Sequence, residues 1–182
     1  MATTTWVLDP SHSELNFKIK HLMISSVSGK FTSFTGKVQT EEDDFSSAKI
    51  NFTTAVNSIN TSNEQRDAHL KAVDFFDAVN HPEMHFESNG MEKIDEDNYK
   101  LHGTLSIRGI SKQIGLNVEY GGTTIDPWGG TRAGFAISVK INRKDFGLNF
   151  SMVSETGGVL LGEEVNLSAE VELVREVVEE LV

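Results

Sequence analysis

The sequence contains no cysteine, which removes disulfides, thiolate catalysis and cysteine-ligated metals together. Compartment stays open on that count, because oxidising compartments permit disulfides without demanding them. No apolar run approaches the roughly 20 residues of a membrane span, so stable membrane insertion is not expected. The opening stretch MATTTWVLDPSHS has neither the basic nor the apolar block of a secretory leader. A cytoplasmic location is therefore the expectation. Positive charge is scarce as well. Sixteen Lys and Arg against 27 Asp and Glu leave a net charge of −11. That sign is wrong for the phosphates of nucleic acid and for docking on anionic lipid by charge.

What is present is ordinary for a folded chain. With 182 residues, 38% hydrophobic and 24% charged, one domain with a real core is expected and disorder is not. The pattern is overwhelmingly that of strand. Leu15, Phe17 and Ile19 alternate with Asn16, Lys18 and Lys20 over Glu14–His21, and the same period of two recurs at Ala48–Asn57 and Glu83–Ser88. It returns at Leu101–Arg108, Ile114–Tyr120, Ala133–Ile141 and Glu164–Val174. SSVSG reads as a connection to a less regular strand over Lys30–Gln39, and Arg143–Gly162 reads as a long loop carrying the apolar patches FGLNF and GGVLL.

One stretch leaves that period. In SNEQRDAHLKAVDFFDAVNHP, Ser62–Pro82, the residues Ala68, Ala72, Phe75, Phe76 and Val79 recur at helical spacing. Ser62 with Gln65 three positions later has the form of a capping box, and Pro82 ends the element by forcing His81 out of helical geometry. A lone helix must lay its stripe on something, and the opening of a barrel is the natural place, so this helix is a candidate lid.

About eight strands, each with one apolar face, read as an antiparallel sheet. One short helix cannot cover so many apolar faces, so the sheet must cover itself. Short connections favour an up-and-down order, and closure removes exposed edges. The expected fold is all-β: a lipocalin-like up-and-down barrel of about eight strands, with one short helix near a barrel end. Its interior holds either a filled core or one slender ligand. Inward candidates of moderate size, such as Ala48, Val56, Gly103 and Ala169, leave both readings open.

Ordered motifs then accumulate: WVLDPSHS at Trp6–Ser13, FKIKHL at Phe17–Leu22, GKFTSFTG at Gly29–Gly36 and SINT at Ser58–Thr61. RDAHLKAVDFFD follows at Arg66–Asp77, then HPEMHFES at His81–Ser88, GTLSIRG at Gly103–Gly109 and NRKDFG at Asn142–Gly147. In these the chain resembles the YceI-like domain family from Trp6 to about Val174. The resemblance implies a lipocalin-like barrel, often a homodimer, holding a polyisoprenoid, an isoprenoid quinone or a fatty amide. Several members of that family are periplasmic. Asn142 stands where members often have aspartate, and no catalytic constellation carries over.

Polar residues offer weaker signals. Arg66, Asp67 and His69 are the most site-like cluster: Arg66 and His69 are placed to meet a phosphate or quinone carbonyl, or Arg66 and Asp67 tie the helix to neighbouring loops by ion pairs. The Arg143–Gly147 turn invites the same two readings. His81 and His85 are separated by Pro82, and no HExxH-type motif exists, so neither a metal nor a cofactor is expected. Ser11-His12-Ser13 lacks a nucleophile elbow. The expectation is a non-enzymatic carrier of an elongated apolar lipid. Leu15, Phe17, Ile19, Phe52, Leu105, Leu116, Val118, Phe135, Ile137 and Val139 line its tube, Arg66 and His69 stand at the mouth, and residues Asn63 to Phe76 cap one end. The alternative is a small enzyme acting on such a lipid, with His12, Arg66, Asp67 or His69 at the mouth.

Overall fold

Alternation becomes eleven strand segments in one antiparallel sheet. The computed structural model describes residues 2–22, 24–150 and 161–177. The segments are β1 (Thr3–Leu8), β2 (Glu14–His21), β3 (Ser25–Phe31), β4 (Phe34–Glu41), β5 (Asp44–Ala55) and β6 (Ile59–Asn60). After α1 (Glu64–Lys71) come β7 (Glu83–Lys93), β8 (Asn98–Ile107), β9 (Ile110–Ile125), β10 (Thr131–Asn142) and β11 (Leu161–Arg175). The sheet closes on itself through β1, β4, β5, β7, β8, β9, β10 and β11, with β11 pairing back onto β1. This is the closed eight-stranded barrel with one helix.

Eleven segments make eight staves because three staves are bent. Both β1 and β2 run antiparallel along β11: Leu8 faces Leu173 and Glu14 faces Glu170. Residues 9–13 are thus opposed by only residues 171 and 172, and the excess chain is taken up by a 3-10 turn at Pro10–His12. Such an excess bends a strand without breaking its pairing. The stave β3–β4 bends likewise between Phe31 and Phe34, and β5–β6 bends through the 3-10 turn Val56–Ser58.

Three local expectations are corrected. SSVSG is not a connection but most of β3, paired along β2 with Val27 opposite Ile19 and Gly29 opposite Phe17. The capping box does not form: Ser62 has φ 62, a left-handed conformation, whereas an N-cap is extended. Asn63 takes that role, at φ −148, and its side chain accepts from the Arg66 amide. The helix also stops at Lys71, where Ala72 turns extended, so the proposed stripe is split. Ala68 and Val79 are exposed, while Phe75 and Ala78 are buried by the turns that follow α1. Insertion of Phe75, Phe76 and Ala78 under the barrel rim outweighs helix propensity here. Of the apolar patches in the long loop, Phe146 and Leu148 are buried, and all of GGVLL but Leu161 lies outside the described residues.

Apolar side chains line the interior in two groups. One surrounds Trp6, Phe45, Tyr99 and Phe135; the other surrounds Phe31, Val56, Ile107 and Phe146 beneath α1. Among the described residues, no helix is long and apolar enough to cross a membrane.

Candidate functional site

The lumen is not filled. It contains an upper chamber of about 330 Å³ beneath α1 and a lower chamber of about 170 Å³. Leu15, Phe52, Leu105 and Leu167 line both, so these four side chains form a waist between the two chambers. The twelve residues predicted from sequence all fall on these walls. Phe17, Ile19, Arg66 and His69 line the upper chamber, and Leu116, Val118, Phe135, Ile137 and Val139 line the lower one. Alternation along the barrel staves places the ten strand residues there, since every second residue points inward, while Arg66 and His69 come from α1.

Empty volume persists partly because two inward positions carry no side chain. Gly29 lies beneath the Phe17 ring, and a Cβ there would fall 2.6 Å from Phe17 Cε1 and 2.9 Å from Thr61 Cγ2. Gly103 lies likewise beneath Phe86, where a Cβ would fall 2.5 Å from Phe86 Cζ and 2.5 Å from the Glu87 carbonyl oxygen. Each ring folds flat against the wall over a glycine instead of projecting into the tube.

The polar residues of the upper rim are held by short local contacts. Thr61 is buried and joins both members of the Arg66–Asp67 pair. Arg66 donates from Nε to Thr61 Oγ1 and from Nη2 to the Thr61 carbonyl, each at 2.8 Å. Asp67 Oδ1 accepts from the Thr61 amide at 2.9 Å and from its hydroxyl at 2.6 Å. The two residues therefore tie α1 to β6 through one threonine, by hydrogen bonds rather than by the ion pairs expected. His69 is packed edge-on against Phe75 and Phe150, with centroids 5.2 and 4.6 Å away, and Nε2 is 3.7 Å from Asp74 Oδ2.

Arg143 is the site residue that sequence reasoning undervalued. It opens a 3-10 turn (Arg143–Phe146) that starts on Asn142, whose side chain accepts from the Lys144 amide at 2.9 Å. A carboxylate would make the same bond, so an aspartate at this position would cap the turn as Asn142 does. The turn directs the Arg143 side chain inward, where it is 2% exposed and lines the upper chamber. Its donors reach the carbonyls of Gly162 (2.8 Å), Leu148 (2.5 Å) and Phe150 (2.6 Å), with Leu161 at 3.5 Å. Burial pulls its pKa below the ordinary arginine value, against the opposing field of Glu163. A charged residue after a turn asparagine was a visible signal; its burial was not.

At the other end four aromatic rings pack together as a plug. Phe45 contacts Trp6, Tyr120 and Phe135 with ring centroids 5.2, 5.5 and 4.9 Å away. Outside this plug, Arg132 meets Asp9 and Asp126 at 2.8 Å and Glu172 at 3.0 Å. Arg132, with Ser11 and His12, holds the Asp9 carboxyl well below the usual carboxylate range. His12 belongs to this knot, not to the mouth, and lines neither chamber. Its Nδ1 faces both Asp9 Oδ2 (2.9 Å) and Ser11 Oγ (3.2 Å). A catalytic relay needs the acid and the nucleophile on opposite ring nitrogens; this arrangement puts them on one. Among the described residues, no three His, Asp or Glu side chains converge as metal ligands.

Comparison with known proteins adds to this geometry. The YceI-like domain family matches residues 6–173. The UPF0312 protein SA2479 of Staphylococcus aureus is 39% identical over 170 residues, covering 93% of this chain and 96% of that protein. The crystal structure of the Campylobacter jejuni YCEI protein superposes with a TM-score of 0.75 at 37% identity, covering 88% of this chain and 91% of that one. A polyisoprenoid binding domain from Saccharophagus degradans shares the fold at a TM-score of 0.68 and 15% identity, covering 92% and 97% of the two chains.

Proposed function

The chain belongs to the YceI-like domain family, and from that premise we propose that it binds one elongated apolar lipid lengthwise in the barrel, for transport, storage or sequestration. A polyisoprenoid, an isoprenoid quinone or a fatty chain fits this reading. The observation that carries it is the pair of adjacent chambers along the barrel interior, unfilled, almost wholly apolar and sharing four wall residues. The upper chamber alone has the volume of a small-molecule site, roughly 300–1,000 Å³. The shared fold with a domain described as polyisoprenoid-binding points the same way. Affinity arises from apolar burial, at about 0.8 kcal/mol per buried CH₂, and the twelve predicted wall residues are the proposed contacts. The homodimer suggested by the family resemblance forms part of the same proposal.

Native mass spectrometry of freshly purified protein, followed by organic extraction, tests this directly. An added mass that extracts as a long apolar chain is the expected result, and a doubled protein mass reports the dimer. Ile137→Trp and Val118→Trp fill the lower chamber and are expected to abolish that added mass while the circular dichroism spectrum stays that of a barrel. Full lipid occupancy in both folded variants overturns the lumen assignment.

A further inference from the structure

Most of the large apolar side chains left exposed sit on loops at the two ends of the barrel. At the α1 end they border the upper chamber. Leu22 and Ile24 follow directly on His21, which lines that chamber, and Ile24 is 86% exposed. Val73 and Val79, 64% and 92% exposed, flank Phe75 and Phe76, which line it too. The Val73 carbonyl accepts from Arg108 Nη2 at 2.9 Å, and His81 lies beside Gly109, so this segment is held against the β8–β9 hairpin. In the sheet, β8 stands four staves from β2 in a barrel of eight. The two aliphatic pairs therefore lie on opposite sides of the chamber.

Charge separates this end from the other. At the plugged end the exposed apolar tips adjoin acids: Ile94 precedes Asp95, Glu96 and Asp97, and Ile125 precedes Asp126. The β4–β5 hairpin adds four acids in a row, Glu41–Asp44. At the α1 end, residues 22–28 carry no charge, and Lys20, Arg108, Lys112 and Lys144 stand on or next to the loops. The two acids between Val73 and Val79 are turned to partners. Asp74 faces His69 at 3.7 Å, and Asp77 accepts from Asn80 at 2.9 Å.

We propose that the α1 end is a reversible docking surface for a lipid bilayer, into which Leu22, Ile24, Val73 and Val79 insert. This rests on the lumen reading above, which supplies the reason. An apolar chain leaving the tube avoids water only where the mouth meets another apolar phase. A second copy of the protein fits this surface less well, because side chains on separate loops around a cavity offer no continuous face, whereas acyl chains conform to them. Such binding scales with the apolar area buried and needs no membrane span. It also needs no attraction between charges, in keeping with the net charge of −11. The acidic plugged end is repelled by phosphate-rich surfaces and so keeps the barrel oriented mouth-down.

Sucrose-loaded phosphatidylcholine vesicles are the probe. They are expected to sediment the full chain about equally at low and high salt, because apolar insertion is not screened. The double variant Ile24→Ser/Val79→Ser changes only exposed positions, and it is expected to lower the partition coefficient at least about ten-fold. Trp128→Ser, at the plugged end beside Asp126, is expected to leave it unchanged. Both native tryptophans, Trp6 and Trp128, belong to the plugged end, so Ile24→Trp places a lone indole at the other. Brominated phosphatidylcholine is expected to quench that indole and spare the native emission. Protein that stays in the supernatant, or a double variant that partitions like the parent, overturns the docking surface. Loss of partitioning in Trp128→Ser, or quenching of the native indoles alone, overturns its placement at the α1 end. Partitioning abolished by salt overturns apolar insertion as its cause. Protein that sediments as expected yet carries no extractable lipid overturns the lumen reading alone.

Discussion

The two ends of this barrel use arginine in opposite ways. At the closed end Arg132 is surrounded by Asp9, Asp126 and Glu172, all within 3.0 Å, outside a plug of four aromatic rings. At the open end Arg143 is buried more deeply, and its hydrogen bonds among the described residues all go to carbonyl oxygens. The first arrangement neutralises a cation to lock β1, the β9–β10 hairpin and β11 together. The second uses a buried cation, in the field of Glu163, to hold a loop beside a cavity. One end is held by ion pairs and the other, held by carbonyl contacts, borders the upper chamber.

The largest effect is expected from breaking the closed end. Trp6 is 1% exposed and donates from Nε1 to Thr40 Oγ1 at 3.3 Å. Trp6→Ala removes the plug's largest ring and is expected to cost about 3–5 kcal/mol in urea denaturation. Phe76→Ala, at a half-buried ring of the open end, is expected to cost under about 2 kcal/mol and to speed ligand exchange instead. Similar losses for both would erase the division between the ends.

Next comes the waist side of the open end. Gly29→Ala forces its new Cβ against the Phe17 ring and Thr61. The ring must swing into the upper chamber, so stability falls by about 1–3 kcal/mol and lipid affinity falls with it. Phe17→Leu in the same background is expected to restore both, because a smaller side chain accommodates the Cβ. Failure of that rescue would show that the glycine serves the backbone rather than the lumen.

A smaller effect appears on acidification, and it too belongs to the closed end. The Asp9 carboxyl is depressed first by Arg132, and Asp126 is depressed by the same arginine. A lowered folded-state value means stability that is fully present above the unfolded carboxylate pKa of about 4. It is lost as pH falls from there toward the folded value. Urea midpoints measured from pH 7 to pH 3 should therefore drop on the acid side, and Arg132→Gln should flatten that limb. Arg66, whose hydrogen bonds among the described residues go to Thr61, should leave the limb unchanged when substituted.

How much of this was legible in the sequence depends on what makes each feature. Strands with one buried face announce themselves, so β2 was readable to its end residues, and inward alternation placed Phe17, Phe52 and Ile137 on the lumen wall. The bent staves were not readable. In β3 the inward positions are held by Val27 and Gly29, and a glycine beneath an aromatic ring looks like turn punctuation until its cross-strand partner is known. The burial of Arg143 was equally hidden, because four carbonyl acceptors distributed over residues 148–162 leave no motif.

The helix start shows the same limit at the scale of one residue, and it supplies the smallest test. Ser62 and Asn63 are both good caps by composition. Thr61 decides between them, because its amide and hydroxyl are held by Asp67 from the first turn of α1. That grip sends Ser62 into the left-handed region, its amide donating to Asn60 Oδ1 at 2.8 Å, and leaves Asn63 extended at the cap. Asn63→Ala should thus cost about 0.5–1 kcal/mol, and Ser62→Ala almost none through capping. Because α1 packs over the open end alone, the loss in Asn63→Ala should appear as faster hydrogen exchange in α1 with an unchanged rate at the closed-end plug. Equal acceleration at both ends would mean that the lid and the plug unfold as one unit, and the independence of the two ends would fall with it.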